Sequence, residues 1–142
     1  MTATTTSLLR VTLACLAFSA AVPGLLATIS PTAFYDSFPF GRAWVRTLLR
    51  YNEHLIRDVG NYKLAFAVLF AWAAWRPSRA LVVPLASAWS VAALLHAGYH
   101  AQDLNGFATG DAIALIAVLV SVLAVPMLVI VIAQRERVSM KA

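Results

Sequence analysis

Four long apolar runs, separated by short polar segments, dominate the pattern of this chain. Three of them, at residues 11–29, 80–101 and 112–133, contain no Asp, Glu, Lys or Arg. An α-helix rises about 1.5 Å per residue, so each run is long enough to cross a hydrocarbon core of about 30 Å. The pattern therefore predicts transmembrane helices at these three positions.

The fourth apolar run, which ends at Arg76, is shorter. Only the residues after Lys63 are uncharged, and that stretch is too short to cross a bilayer. To span, the helix must reach back to about residue 55, which takes Arg57, Asp58 and Lys63 into its outer end. We therefore predict an all-α polytopic membrane protein, a single domain over residues 1–142, with four transmembrane helices in an up-down bundle at about 11–29, 55–75, 80–101 and 112–133.

The composition supports a membrane environment. Hydrophobic residues make up 61% of the chain and charged residues only 12%, with a mean hydropathy of +0.79. Soluble domains carry about 25% charged residues, so a soluble or disordered protein is excluded and the lipid bilayer is the expected partner. The formal net charge is +5. Because the basic residues sit at the ends of apolar runs, where they anchor helices to headgroups, we expect no nucleic-acid partner.

Four crossings place both termini and the turn between the second and third spans on one side of the membrane. The basic residues on that side are Arg10, Arg76, Arg79, Arg135, Arg137 and Lys141, and those in the opposite loop are Arg42, Arg46 and Arg50. Since cytoplasmic segments are enriched in Lys and Arg, this excess predicts a multi-pass protein of the cell membrane with both termini cytoplasmic. Assigning Arg57 and Lys63 to the outer loop would bring the two sides close to balance.

The first outer loop contains a second kind of helix. Arg42, Arg46 and Arg50 recur every four residues, which places them within an arc of about 80° on a helix, while Trp44 points away from them. This spacing predicts an interfacial amphipathic helix over residues 42–50.

The residues capable of chemistry collect at one end of the predicted bundle. All three histidines and every acidic residue except Glu136 fall on the non-cytoplasmic side. An ionisable side chain inside a span is costly and usually has a functional reason to be there. The group consists of Asp36, Glu53, His54, Asp58, His96, His100, Asp103 and Asp111. This end is therefore the candidate functional site.

Helical spacing organises the charged residues of the second span. Glu53 with Arg57 and His54 with Asp58 are four residues apart, so each charge has a partner on its own helix. Lys63 points to another side of the helix and is expected to extend toward the interface.

On the third span, His96, His100 and Asp103 fall within an arc of about 60°. Trp89 and Ala93 continue that face inward. Because only a short turn joins the second and third spans, we expect them to be antiparallel neighbours whose outer ends lie side by side.

This arrangement suggests a metal site in the resulting polar pocket. Two imidazoles one turn apart supply two nitrogen ligands to one ion, and Zn or Fe suits nitrogen and oxygen ligands of this kind. The hypothesised ligands are His96, His100, Asp103 and His54, with Glu53, Asp58 and Arg57 as orienting or proton-accepting neighbours. Such a site would support a redox or hydrolytic step.

Two alternatives use the same residues. In one, the polar cluster is purely structural, and the chain is an accessory or scaffolding subunit of a membrane complex or a homo-oligomer. Apolar faces with small residues on the first or fourth span would then pack against the partner, and the candidates on the first span are Ala14, Ala17, Ala20 and Ala21. In the other, the histidines form a proton relay or a pH-sensitive gate. No phosphate loop or nucleophile motif is visible, so the sequence assigns no reaction and leaves these hypotheses open.

Part of the chain also resembles a known family. The segments that carry the resemblance are residues 31–36 (PTAFYD), 38–39 (FP), 44–45 (WV) and 51–60 (YNEHLIRDVG), followed by His96 and His100. They resemble a family of small bacterial four-helix integral membrane proteins with no established activity, over most of the chain from about Pro31 to Gly106. The resemblance implies a four-helix membrane architecture and importance for these positions. Members of that family often carry a further histidine where this chain has Asp103.

Overall fold

The computed structural model describes the backbone of residues 3–48 and 50–139, and the side chains of residues 4–48 and 50–134. Within that part the protein contains helices and connecting segments but no strand. The helices are α1 (Ala3–Ile29), α2 (Pro31–Ser37), α3 (Trp44–Leu48), α4 (Glu53–Trp75), α5 (Arg79–Gln102) and α6 (Thr109–Ser139). The all-α fold class is confirmed.

Three of the described helices can cross a membrane by length and composition: Thr4–Ile29, Arg79–Gln102 and Thr109–Gln134. They contain three of the four predicted spans. Helix α4 is not among them, because Glu53, Arg57, Asp58 and Lys63 make its first half polar. The structure therefore shows a helical protein with candidate membrane spans.

The charged beginning of α4 belongs to the helix and is held by a capping residue. Asn52 precedes α4 in an extended conformation, and its side-chain oxygen accepts a hydrogen bond from the Leu55 amide at 3.1 Å. Glu53 follows in the first turn, where negative charge complements the helix dipole. As a result, α4 begins at Glu53 and not near residue 55, which fixes the directions of the charged side chains that follow.

The long helices pack in two pairs. Helix α4 lies along α1 and α5 lies along α6, whereas α4 contacts α5 at only a few positions. The second and third spans, expected to be antiparallel neighbours, therefore do contact each other, but each packs mainly against a different helix. Glycines explain the preference of α4 for α1, since a Cβ on Gly60 would lie 2.6 Å from Thr28 Oγ1 and one on Gly24 would lie 3.1 Å from the Leu64 side chain. Only glycine permits so close an approach of two helices.

A hydrophobic cluster connects all four long helices. Leu13, Phe70, Val82 and Val129, one from each helix, are 0% exposed within it. Burial of such side chains contributes about 1.5–3 kcal/mol each in water, and in lipid the same close packing provides dispersion contacts.

The small residues of α1 serve this cluster. Ala20 is fully buried in it, and Ala17 and Ala21 pack against it, while Ala14 is exposed. The idea that these alanines form a surface for a partner is wrong for Ala20, because its neighbours belong to the same chain.

The first loop folds over one end of the bundle. Phe34 of α2 and Ile56 of α4 form a second buried cluster with Ala27 of α1, and Val45 of α3 packs against it. Helix α3 is shorter than the amphipathic helix predicted over residues 42–50, and residue 49 lies outside the described residues.

Ion pairs attach this loop to the rest of the chain. Arg46 lies 3.7 Å from the Asp36 carboxylate, and Arg42 pairs with Asp111 in the first turn of α6. The Trp44 indole also donates to Asp111, at 3.1 Å. We call Arg42, Trp44 and Asp111 the loop anchor. Two of the three arginines of the predicted amphipathic helix, Arg42 and Arg46, thus pair with carboxylates of the protein.

Candidate functional site

The first turns of α4 carry two short-range charge pairs. The Arg57 side chain donates to Glu53 at 2.9 Å, and His54 Nε2 lies 3.3 Å from the Asp58 carboxylate. Both pairs have the four-residue spacing identified in the sequence. The His54 side chain is 89% exposed, so its pair with Asp58 lies on the outside of the bundle.

Arg57 and Asn61 also connect α4 to the end of α1. The Arg57 guanidinium donates to the Thr28 carbonyl oxygen, and the Thr28 hydroxyl donates to Asn61 Oδ1 at 3.2 Å. The last carbonyls of a helix have no partner within it, so a basic side chain here satisfies one of them and complements the helix dipole. We call Thr28, Glu53, His54, Arg57, Asp58 and Asn61 the rim network. Its bonds hold α1 and α4 together.

His96 and His100 lie one turn apart near the end of α5. Their ring centroids are 4.5 Å apart and their planes meet at 86°. His96 is exposed at the protein surface, whereas His100 is only 5% exposed. Among the described residues, the buried Nδ1 of His100 has no hydrogen-bond partner. Buried polar atoms in native proteins nearly always have one, so this atom requires an explanation.

Trp89 lies about two turns further into the bundle on the same face of α5. Phe66 and Phe70 of α4 pack edge-on against its indole, with centroid distances of 5.2 and 5.4 Å. The side chain is 7% exposed, and no described residue accepts a hydrogen bond from its Nε1. The contact between α4 and α5 thus contains a second buried donor without a partner.

Lys63 of α4 completes this group. Its Nζ lies 5.4 Å from the centroid of the Trp89 ring, within the range of a cation–π interaction. His96 and His100 lie on the same face of α5 as Trp89, two and three turns nearer to the end of the helix. We call Lys63, Trp89, His96 and His100 the α4–α5 cluster. Along α5 the cluster forms a line roughly 16 Å long, at about 1.5 Å per residue.

The sequence predicted that the Lys63 side chain extends toward the membrane interface. In the structure this side chain extends toward α5 instead. A usable signal was present, because Lys63, Phe66 and Phe70 are three and seven residues apart and share one side of a helix. The sequence did not show that α5 lies on that side.

The structure does not bring the four hypothesised metal ligands together. Helical spacing places His54 about 180° around α4 from Lys63, and therefore away from the contact with α5. Asp103 follows the end of α5, and its carboxylate accepts a hydrogen bond from the Asn105 amide at 3.2 Å. Among the described residues, no three His, Cys, Asp or Glu side chains form a group that could hold a metal ion. Of the hypothesised ligands, His96 and His100 are in ring contact.

No family model, curated protein or solved structure matches this chain. The resemblance of residues 51–60 to a bacterial family stays a prediction. The chemistry of the α4–α5 cluster is therefore argued from its own hydrogen-bond donors and acceptors.

The α4–α5 cluster consists mainly of hydrogen-bond donors. A lysine ammonium and an indole N–H only donate, whereas a neutral imidazole offers one donor and one acceptor. The four members include no carboxylate. The cluster can therefore bind a hydrogen-bond acceptor, and the positive charge of Lys63 disfavours a second cation beside it.

Proposed function

We propose that the chain is a four-span protein of the cell membrane, with α1, α4, α5 and α6 as its spans and both termini cytoplasmic. The packing of α4 along α1 supports α4 as the additional span, because α1 is itself a candidate span. The contact of Lys63 with Trp89 gives this charged residue a partner inside the bundle. The charge asymmetry supports the orientation, although the side chains of Arg135 and Arg137 and all of Lys141 lie outside the described residues.

Within that architecture, we infer that the α4–α5 cluster binds a ligand and that the rim network is structural. The observation that carries this proposal is the buried Nδ1 of His100 without a partner. An unsatisfied buried polar atom costs about 1–3 kcal/mol of stability. Proteins retain such costs mainly where function requires them, and a bound ligand would supply the missing hydrogen bond.

The chemistry of the cluster favours an acceptor as the ligand over a metal ion. A metal held by His96 and His100 would add positive charge near Lys63. It would also need further ligands, because two imidazoles do not complete the shell of Zn or Fe. The proposed function is therefore a membrane-embedded binding protein for a ligand that accepts hydrogen bonds.

Thermal unfolding in detergent tests whether the rim network is structural and the α4–α5 cluster is not. His100→Leu removes a buried polar atom that has no partner, so we expect an unchanged or higher Tm. Arg57→Leu removes the donor to Glu53 and Thr28, so we expect a loss of about 1–3 kcal/mol, which corresponds to a Tm decrease of roughly 3–9 °C. An equal decrease for His100→Leu would assign His100 to a structural network and contradict the binding site.

Elemental analysis tests the choice between acceptor and metal. The protein and a His96→Ala, His100→Ala double variant would be purified in detergent and analysed for Zn and Fe. We expect no near-stoichiometric metal in either. Near-stoichiometric metal that the double variant loses would overturn the proposal and identify the two histidines as metal ligands.

A further inference from the structure

We propose that the ligand of the α4–α5 cluster is a membrane-dissolved amphiphile with an oxyanion head group, which reaches the cluster from the lipid side past His96. This inference rests on the ligand-binding function proposed above. It adds the class of ligand and the route by which the ligand arrives.

The charge of Lys63 indicates an anion. Its side chain is half-buried and packs against Trp89, and no ion pair between described residues includes it. By helical rise it lies roughly 15 Å from the start of α4, which is near the middle of a bilayer core about 30 Å thick. A charge at such depth is costly unless a counter-charge accompanies it. An oxyanion would supply that counter-charge.

The two histidines extend the same site. Because their ring centroids are 4.5 Å apart, one carboxylate or phosphate group can contact both rings. The unpartnered Nδ1 of His100 is available to donate to it. Charge-assisted hydrogen bonds of this kind are about twice as strong as neutral ones. The expected binding group is therefore Lys63 with the histidine pair.

The shape of the cluster indicates an elongated molecule. The line from His100 to Trp89 is roughly 16 Å long, at about 1.5 Å per residue of α5. An inorganic anion would occupy only one end of it. An acyl chain attached to the head group would extend toward Trp89, where the aromatic rings of Phe66 and Phe70 provide apolar contacts.

The exposure pattern indicates the route. His96 is exposed while His100, one turn later, is buried, so the pair connects the protein surface to its interior. Leu95 and Tyr99, on the same side of α5, are also exposed and would face acyl chains. At the end of the bundle, the loop anchor ties the first loop to the start of α6. The exposed ring of His96 therefore marks the lipid side as the proposed route.

The test uses tryptophan quenching by a brominated fatty acid. A protein with Trp89 as its sole tryptophan (Trp44→Phe, Trp72→Phe, Trp75→Phe) reports on the cluster. A protein that keeps only Trp72, whose side chain is 54% exposed, reports on simple partition into the micelle. Each would be titrated in detergent with dibromostearate and with its methyl ester, which has the same chain but no charge.

We expect saturable quenching of Trp89 by the acid at concentrations roughly tenfold below those needed for the ester. Quenching of Trp72 should be the same for both compounds and should not saturate. In the sole-Trp89 protein, Lys63→Met should raise the half-saturating concentration of the acid roughly tenfold. Lys63→Arg should restore it, and Arg10→Gln, at the opposite end of the bundle, should not change it.

Different failures point to different parts of the proposal. Equal quenching of Trp89 by acid and ester, unaffected by Lys63→Met, would overturn the oxyanion head group. The binding function would survive that result if His100→Leu still abolished the saturable component. Relief of quenching by millimolar inorganic phosphate would show a water-borne anion and overturn the lipid route. Absence of saturable quenching by either compound, together with a lower Tm for His100→Leu, would overturn the binding function itself.

Discussion

The rim network and the α4–α5 cluster each contain a basic side chain and histidine, and they differ in whether their polar side chains have partners. Arg57 in the rim network bonds to both Glu53 and Thr28, close to the protein surface. In the cluster, His100 and Trp89 are buried, and no described residue forms a hydrogen bond with His100 Nδ1 or Trp89 Nε1. The difference teaches that a charged motif and a set of buried polar atoms without partners need not coincide.

Two pairs that contain histidine have the same spacing in sequence but different environments. His54 and Asp58 are four residues apart, as are His96 and His100, but the first pair is exposed and mutually satisfied while His100 is enclosed. The neighbouring helix decides the outcome. Helix α4 presents Arg57 to α1 and Lys63 to α5, and His54 lies on neither side.

The largest effect is expected in cysteine labelling, which tests whether the helices that carry the two groups cross the membrane. In a Cys15→Ala background, His54→Cys and Leu104→Cys should react with an impermeant maleimide on intact cells, whereas Ser78→Cys should not. Permeabilised cells provide the control, since Ser78→Cys should react there. Labelling of positions 54 and 104 from opposite sides would mean that α4 does not cross, and the two groups would no longer share one bundle.

The second largest effect is expected at the contact between α1 and α4, which the rim network holds together. Gly60→Ala would place a Cβ 2.6 Å from Thr28 Oγ1 and 2.9 Å from Thr28 N, which forces α1 and α4 apart. We expect a loss of about 2–3 kcal/mol, measured by thermal unfolding in detergent.

Gly98→Ala is the matched control for that substitution. A Cβ at Gly98 would have no atom within 4 Å, so its stability should be unchanged or slightly raised by the better helix propensity of alanine. Equal losses for the two variants would mean that α1 and α4 do not approach as closely as the rim network requires.

The smallest effect concerns the loop anchor, which ties the first loop to the start of α6. Asp111→Ala removes the acceptor for Arg42 and Trp44, so we expect a small decrease in Tm, measured by thermal unfolding in detergent. Asp103→Ala, which removes only the bond to the Asn105 amide, should cost less. If the two variants unfold at the same temperature, the loop anchor contributes nothing measurable and does not hold the loop over the end of the bundle.

The helices were largely predictable from the sequence because apolar length and helical spacing are local properties. The three uncharged runs lie within α1, α5 and α6, and the paired charges of α4 follow the spacing of one helix. The pairing of α4 with α1 was not predictable, because it depends on a close approach between Gly60 and Thr28, which are far apart in sequence. The direction of Lys63 was missed for the same reason. A helical wheel orders side chains around an axis but does not identify the neighbour.

The pairing of α1 with α4 has a consequence for how the chain enters the membrane. Helix α4 is too polar in its first half to partition efficiently into lipid alone, whereas α1 precedes it during synthesis and is strongly apolar. Once inserted, α1 offers Thr28 and the space around Gly24 to the arriving segment. On the proposed four-span topology, an earlier helix of the same polypeptide thus assists the membrane integration of α4, and the order of translation becomes part of what makes that topology possible.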